Sequence, residues 1–228
     1  MQPSFTKSRK RAASSAPDAS SLDTHGPRPS DLLKRTRTED ELDAIDIIPA
    51  AKSWPVGIAN ILSSPMLREP LDSQLQPHDN FRNHIEGGSI FVLCVQGACE
   101  LHYDLICNAL PDLYAISPTL QALVLCHNPS SHIPSTSTSV SLPLVEAIGA
   151  SGNHFVRLGL LHPLGNGQDP LDAIVVLDPL GRRRLLLPFG WGAGRHAGAV
   201  GGGRIVQRRF VEALTECVRS LVRESKDG

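Results

Sequence analysis

Ile90-Phe91-Val92-Leu93-Cys94-Val95-Gln96-Gly97-Ala98-Cys99-Glu100-Leu101-His102 passes from an apolar run, through a short turn, into a cysteine where helical spacing begins. Ile90–Val95 is nearly continuous in apolar residues, the pattern of a strand buried on both faces of a parallel sheet. A thiol in the first turn of a helix faces backbone N–H groups that have no intrahelical partner, and their partial positive charge lowers its pKa toward the thiolate. Cys99 is therefore the candidate nucleophile. His102 follows one turn later on nearly the same face, where as a cation it would favour the thiolate.

Downstream, Cys99–Leu113 reads as a helix, with Leu101, Leu105, Ala109 and Leu113 on one stripe and Pro111 predicting an end or kink near Leu110. Leu120–Cys126 is a second buried strand, so the segment is β-α-β with parallel strands. The polar stretch Asn128–Ser141 reads as a loop, Leu142–Ala150 as a short helix and His154–Leu161 as a third strand. Ala173–Leu187 reads as a β-hairpin whose turn, Asp178-Pro179-Leu180-Gly181, has Pro and Gly where a type I turn prefers them. A glycine-dense linker, Gly190–Gly203, leads to the clearest helix of the chain, Arg204–Arg223. Val206, Phe210, Leu214, Cys217, Val218 and Leu221 form its apolar stripe.

Upstream, residues 1–37 are rich in Ser, Pro, Ala and basic residues without apolar periodicity, and are expected to be a disordered basic tail. Their clusters Lys7–Arg11 and Lys34–Arg37 read either as a nuclear-import signal or as a solvated tail. A mitochondrial transit peptide is a third option, weakened by the scarcity of apolar residues. Thr38–Ile47 carries a capping box (Thr38 with Glu41) and predicts a short helix. Residues 38–79 are expected to be irregular with short helices, one of them Ile58–Leu62. Asn80–Ile85 is a further helical candidate, and residues 80–225 form the domain proper.

Composition narrows the function classes. The formal net charge of −1 gives no general reason to expect nucleic acid or an anionic membrane as partner. Five dispersed cysteines are the pattern of reduced thiols in an intracellular protein, cytoplasmic or nuclear, rather than of a secreted disulfide scaffold. No apolar run reaches the roughly 18 residues of a membrane span.

The order of strand, cysteine at a helix start, second parallel strand, late hairpin and C-terminal helix resembles the thioredoxin superfamily. Within it, the chain resembles the peroxiredoxin-like proteins of the alkyl-hydroperoxide-reductase and thiol-specific-antioxidant type. The echoes are Phe91–Cys99 with its helix, Ala122–Cys126, and the Asp-Pro-x-Gly hairpin at Ile174–Gly181. The resemblance implies an α/β fold with a thioredoxin-like central sheet flanked by helices. It also implies a thiol-dependent oxidoreductase in which Cys99 attacks a peroxide or disulfide. The family's P-x-x-x-T-x-x-C loop is altered: Val92 and Gln96 stand where Pro and Thr would, and His102 stands where C-x-x-C enzymes carry the second cysteine. Glu100 adds a charge that opposes thiolate formation. Pro170 is the candidate for the cis-proline that faces the cysteine in thioredoxin folds, and Arg157 for a guanidinium aimed at it.

Cys126 and Cys107 are the candidate resolving thiols, although about 12 Å of helix separates Cys107 from Cys99, beyond disulfide reach unless the helix unwinds. No zinc-type spacing is present, so neither metal nor cofactor is expected. Gly198–Gly203 lacks the preceding strand and closing Lys of a phosphate cradle, and Arg182-Arg183-Arg184 reads as solvated edge-strand charge. Two functions remain. One is thiol chemistry at Cys99, served by a thiol reductant. The other is a catalytically degenerate fold that serves as an interaction module for a protein partner.

Overall fold

The computed structural model describes residues 46–68, 75–97, 101–132, 140–150, 152–189 and 202–227. Nine strands and four α-helices are named in chain order among them. They are α1 (Ile58–Leu62), β1 (Met66–Arg68), β2 (Gln76–Pro77), β3 (Phe91–Gln96), α2 (Leu101–Ile116), β4 (Gln121–Cys126), β5 (Leu144–Glu146), β6 (Ile148–Gly149), β7 (Gly152–Asn153), α3 (His154–Leu158), β8 (Ala173–Leu177), β9 (Arg183–Pro188) and α4 (Gly202–Asp227).

Seven strands make one mixed sheet in the order β2-β1-β5-β4-β3-β8-β9, and β6 and β7 form a separate two-stranded ribbon. β3 and β4 are parallel, with Phe91 opposite Gln121 and Gln96 opposite Cys126, as the β-α-β reading predicts. β8 runs antiparallel to β3, and β9 antiparallel to β8. The run β4-β3-β8-β9 with its closing helix α4 is the thioredoxin-like arrangement: a central sheet flanked by helices. Alternation along the strands sorts the core into two layers. Val92, Cys94, Val124, Ile174 and Val176 face α2 and α4. Phe91, Leu93, Val95, Leu123, Leu125 and Val175 face α1 and α3. The predicted stripe of the last helix, Val206 through Leu221, is buried along its whole length.

The hairpin forms as expected. Gly181 takes φ +70 to close the turn, and the register shifts between Val176 and Leu177. Asp178 organises this corner, accepting the N–H of Leu180 at 3.0 Å and of Arg182 at 2.9 Å through Oδ1.

Four expectations are corrected. Leu142–Ala150 is not a helix: Leu144–Glu146 pairs in parallel with β4, and Ile148–Gly149 opens the ribbon. His154–Leu158 is a helix rather than a strand, because the Asn153 side chain caps it, accepting the N–H of Phe155 and Val156, and Gly159 ends it in the left-handed region. α2 continues through Pro111 to Ile116, since Leu110 and Leu113 on either side are both buried against the sheet. That packing outweighs the roughly 3 kcal/mol an interior proline costs.

The arginine run is not a solvated edge either. Arg184 is 1% exposed: its Nε donates to Ile48 O at 2.6 Å and its two terminal nitrogens fork onto Glu224 at 2.8 and 2.7 Å. Arg183 lies over the Trp54 ring at 3.4 Å and donates to Leu158 O at 2.8 Å. Residues 38–79 also contribute directly to the sheet, through β1 beside β5 and β2 beside β1. The expected tail (1–37), most of the helix predicted at Thr38–Ile47, and residues 190–201 of the glycine-dense linker lie outside the described residues, while Gly202 and Gly203 already belong to α4.

Candidate functional site

The carboxyl end of β3 and the amino end of α2 meet across residues 98–100. Cys99 and Glu100 are among these and lie outside the described residues. The surroundings are defined. The Gly97 N–H donates to Asp172 Oδ1 at 2.7 Å, tying the end of β3 to the residue before β8. A Cβ at Gly97 would stand 2.9 Å from the Pro170 carbonyl oxygen, so the close approach of these two backbones requires glycine. Pro170 is buried and bridges to Leu161 in an antiparallel pair. No peptide bond among the described residues is cis, so the cis-proline expected at Pro170 is not formed.

His102 is fully buried at the start of α2. Its Nε2 lies 2.9 Å from the Val95 carbonyl oxygen, which can only accept, so Nε2 carries the proton. Its ring packs 5.2 Å from Phe189, which in turn meets Phe210 of α4 edge-on at 4.7 Å. Burial pushes His102 below its ordinary value of 6.5, against the pull of the Asp172 carboxylate 4.0 Å away and of the Val95 carbonyl. The imidazole is therefore neutral at pH 7 and does not supply the positive charge expected of it. Its Nδ1 and the Oε1 of Gln96 are buried without hydrogen-bond partners.

The candidate resolving thiols are internal. Cys126 ends β4 beside Gln96, 6% exposed, its Sγ directed to Val145 O at 3.8 Å. Burial, with Glu146 nearby, pushes its thiol up to about 12. Cys107 lies in α2 facing the core, 4% exposed, with Sγ 3.9 Å from Val140 O. Arg157 sits on α3 beside Gly57 and Gly152; burial first, and then the Arg157 charge, lower the pKa of the neighbouring His154. Among the described residues no three His, Cys, Asp or Glu side chains converge to hold a metal ion.

Sequence reasoning missed Asp172 and Phe189, which hold the loop and the histidine. A single Asp before a strand and a single Phe after one carry no local signal. It also missed the buried pair Ser64–His154, whose Oγ and Nε2 lie 2.6 Å apart. Because Ser64 Oγ donates to Asn60 O at 2.9 Å, the histidine is the donor to the serine. Proton flow in that direction is opposite to what activates a nucleophile, so the pair ties α3 to α1.

No family model matches the chain. A stretch of 60 residues is 45% identical to a fission yeast (Schizosaccharomyces pombe) protein described as Uba3-binding protein but1, covering 26% of this chain and 23% of that one. The chain thus spans about a quarter of the length of that curated relative. Among solved structures, similar chains include the mitochondrial 2-Cys peroxiredoxin of Plasmodium falciparum, 11% identical, covering 75% of this chain and 92% of that one at a TM-score of 0.43. Peroxiredoxin Q of Xanthomonas campestris is 11% identical over 72% of this chain and 95% of its own, at 0.42. Thioredoxin peroxidase I of Plasmodium yoelii is 16% identical over 67% and 88%, at 0.40. No described helix is long and apolar enough to cross a membrane.

Proposed function

We propose that this chain is an intracellular thioredoxin-fold interaction module that binds a protein partner, with its redox chemistry reduced or lost. The observation that carries this reading is His102: the side chain expected to act as a cation for the thiol is buried, and its ring N–H is committed to the Val95 carbonyl. Three further facts support it. Val92 and Gln96 replace the Pro and Thr of the peroxiredoxin loop. Cys107 and Cys126 are sequestered in the core. The curated relative is named for binding Uba3, which makes Uba3 the first partner to test. The basic clusters Lys7–Arg11 and Lys34–Arg37 fit a nuclear address for such a module.

The experiment is a paired measurement on the purified full chain. Calorimetric titration against fission yeast Uba3 is expected to give saturable binding. Hydrogen peroxide consumption with dithiothreitol as reductant is expected to match that of Cys99→Ser. Turnover that depends on Cys99, with sulfenic acid trapped there, would replace this reading with a thiol-dependent oxidoreductase of peroxiredoxin-like type.

A further inference from the structure

Between Leu160 and Leu171 the chain doubles back on itself. The base of this excursion is held by the Leu161–Pro170 bridge, by the His162 N–H on Asp169 O at 2.8 Å and by the Leu171 N–H on Leu160 O at 2.7 Å. Its tip is Gly165-Asn166-Gly167-Gln168, closed by the Gln168 N–H on Gly165 O at 2.9 Å. Asn166 takes φ +50, the one non-glycine residue in the left-handed region among the described residues, and Gly167 follows at φ +76. Asn and Gly are the residues that tolerate these values, so the turn itself calls for this dipeptide.

The same dipeptide brings together the parts of an intramolecular acyl transfer. The side-chain amide carbon of Asn166 is the electrophile, the backbone nitrogen of Gly167 is the nucleophile, and a five-membered ring joins them. Both residues are exposed, and a Cβ at Gly167 would meet nothing within 4 Å, so no neighbour blocks the rotation that closes the ring. Nothing among the described residues pairs with the Asn166 side chain or with the Gly167 N–H. Every other asparagine lacks one of these conditions. Asn60 and Asn108 lie inside α1 and α2, and Asn128 precedes a proline, which has no N–H. The amides that follow Asn80, Asn83 and Asn153 are engaged by Asp79 Oδ1, Phe81 O and Ala147 O.

We propose that Asn166-Gly167 is a self-modification site, at which the folded chain converts Asn166 to isoaspartate and aspartate. The Gly167 nitrogen bonds to Cγ of Asn166, and the side-chain nitrogen leaves as ammonia, taking the proton that Gly167 gives up. Water then opens the succinimide. Addition at one carbonyl gives aspartate, and addition at the other gives isoaspartate, whose backbone runs through Cβ. No oxidant or cofactor takes part. Either product places a new carboxylate three residues from Asp169. Isoaspartate also lengthens the tip by one backbone atom, inside the ring that the Gln168 N–H closes on Gly165 O, and so opens that bond. The bonds at the base lie outside the ring. The change therefore stays at the tip, beside the exposed Leu164, and gives a surface whose charge and shape alter with the age of the chain.

The test incubates the purified full chain at pH 7.4 and 37 °C, folded and in guanidinium chloride, and follows each asparagine by peptide mass spectrometry. Electron-transfer fragmentation separates isoaspartate from aspartate. Conversion at Asn166 in the folded chain is expected within about tenfold of its rate in denaturant, where sequence alone acts, and Asn153 in the folded chain should convert more slowly than Asn166 by about tenfold or more. The aged folded chain should accept methyl groups from S-adenosylmethionine through isoaspartyl carboxyl methyltransferase. Asn166→Gly, which keeps the left-handed turn, should lose most of that acceptance. Hydrogen exchange at the Gln168 amide should quicken in the aged fraction while the Leu171 amide is unchanged. An Asn166 that stays intact in the folded chain while it converts in denaturant would show that the fold protects it, and would overturn the proposal. Conversion to aspartate without methyl acceptance would overturn the isoaspartate and the lengthened tip. Methyl acceptance undiminished in Asn166→Gly would place the isoaspartate at another residue and overturn the assignment.

Discussion

His102 donates its Nε2–H to the carbonyl of Val95, seven residues earlier, at 2.9 Å, and so locks the end of β3 to the first turn of α2. Burial lowers the pKa of this histidine below 6.5, and burial followed by the Arg157 charge does the same for His154. Below pH 6.5 the unfolded chain then binds protons that the folded chain refuses, so stability is fully present above that pH and is lost as pH falls beneath it. Urea unfolding between pH 5 and 7 should show stability rising with pH, with a slope approaching about 1.4 kcal/mol per unit for each histidine that stays neutral. His102→Gln should lower the slope by about one histidine's share. A slope unchanged by that substitution would show that His102 titrates normally in the fold.

The cysteines should report the same closed interior. Cys94, Cys107, Cys126 and Cys217 are buried and in no disulfide, and burial pushes the thiols of Cys126 and Cys217 up to about 12. Maleimide labelling of the native chain at pH 8, read by peptide mass spectrometry, should leave these four unmodified, whereas labelling in denaturant modifies all five. Labelling of Cys126 in the native chain at the rate of a free thiol would reopen its role as a resolving partner.

Where burial and periodicity determine structure, the sequence alone was informative. Val92 and Cys94 on one side and Leu93 and Val95 on the other gave the central strand, and the Val206–Leu221 stripe gave the last helix. The hairpin followed from Asp178 and Gly181, whose turn chemistry is local. Residues 142–158 were read with helix and strand exchanged, because elements of two to five residues carry too few apolar positions to show a period. Asn153 capping at His154 was the missed signal. Arg184 was misplaced for another reason: its partners Ile48 and Glu224 are 136 and 40 residues away, and no local pattern announces an ion pair. The same holds for Asp172 beside Gly97, 75 residues apart.

The Arg184 node should carry much of the attachment of α4 to the hairpin. Glu224 is 45% exposed on its side chain, and its bond to Arg184 holds its carboxyl below the ordinary value. Glu224→Gln should therefore cost only about 1 kcal/mol, once solvent screening is allowed for. Arg184→Ala removes a guanidinium that also satisfies Ile48 O and faces Asp178 at 3.5 Å, both inside the fold. It should cost about 3–5 kcal/mol, the range for breaking a buried pair. Denaturant titration of the two variants ranks them. Equal losses would show that the surface half of the network dominates.

Gly97 offers a sharper test of how the end of β3 is held against the Pro170–Asp172 segment. An alanine Cβ there would lie 2.9 Å from the Pro170 carbonyl oxygen and 3.4 Å from Asp172 Oδ1, and backbone cannot swing aside as a side chain can. Gly97→Ala should therefore push β3 and the Pro170–Asp172 segment apart, weakening the Gly97–Asp172 hydrogen bond, at a cost of about 1–3 kcal/mol. Asp172→Asn keeps the shape and an acceptor oxygen, removes the charge, and should cost less. Amide hydrogen exchange separates strain from general loosening. In Gly97→Ala the amide of Gly97's replacement should exchange faster by a larger factor than the amides of Leu123 and Val175, deep in the sheet. Uniform acceleration across all three would mean that the contact between Gly97 and Pro170 is not a local constraint on the loop.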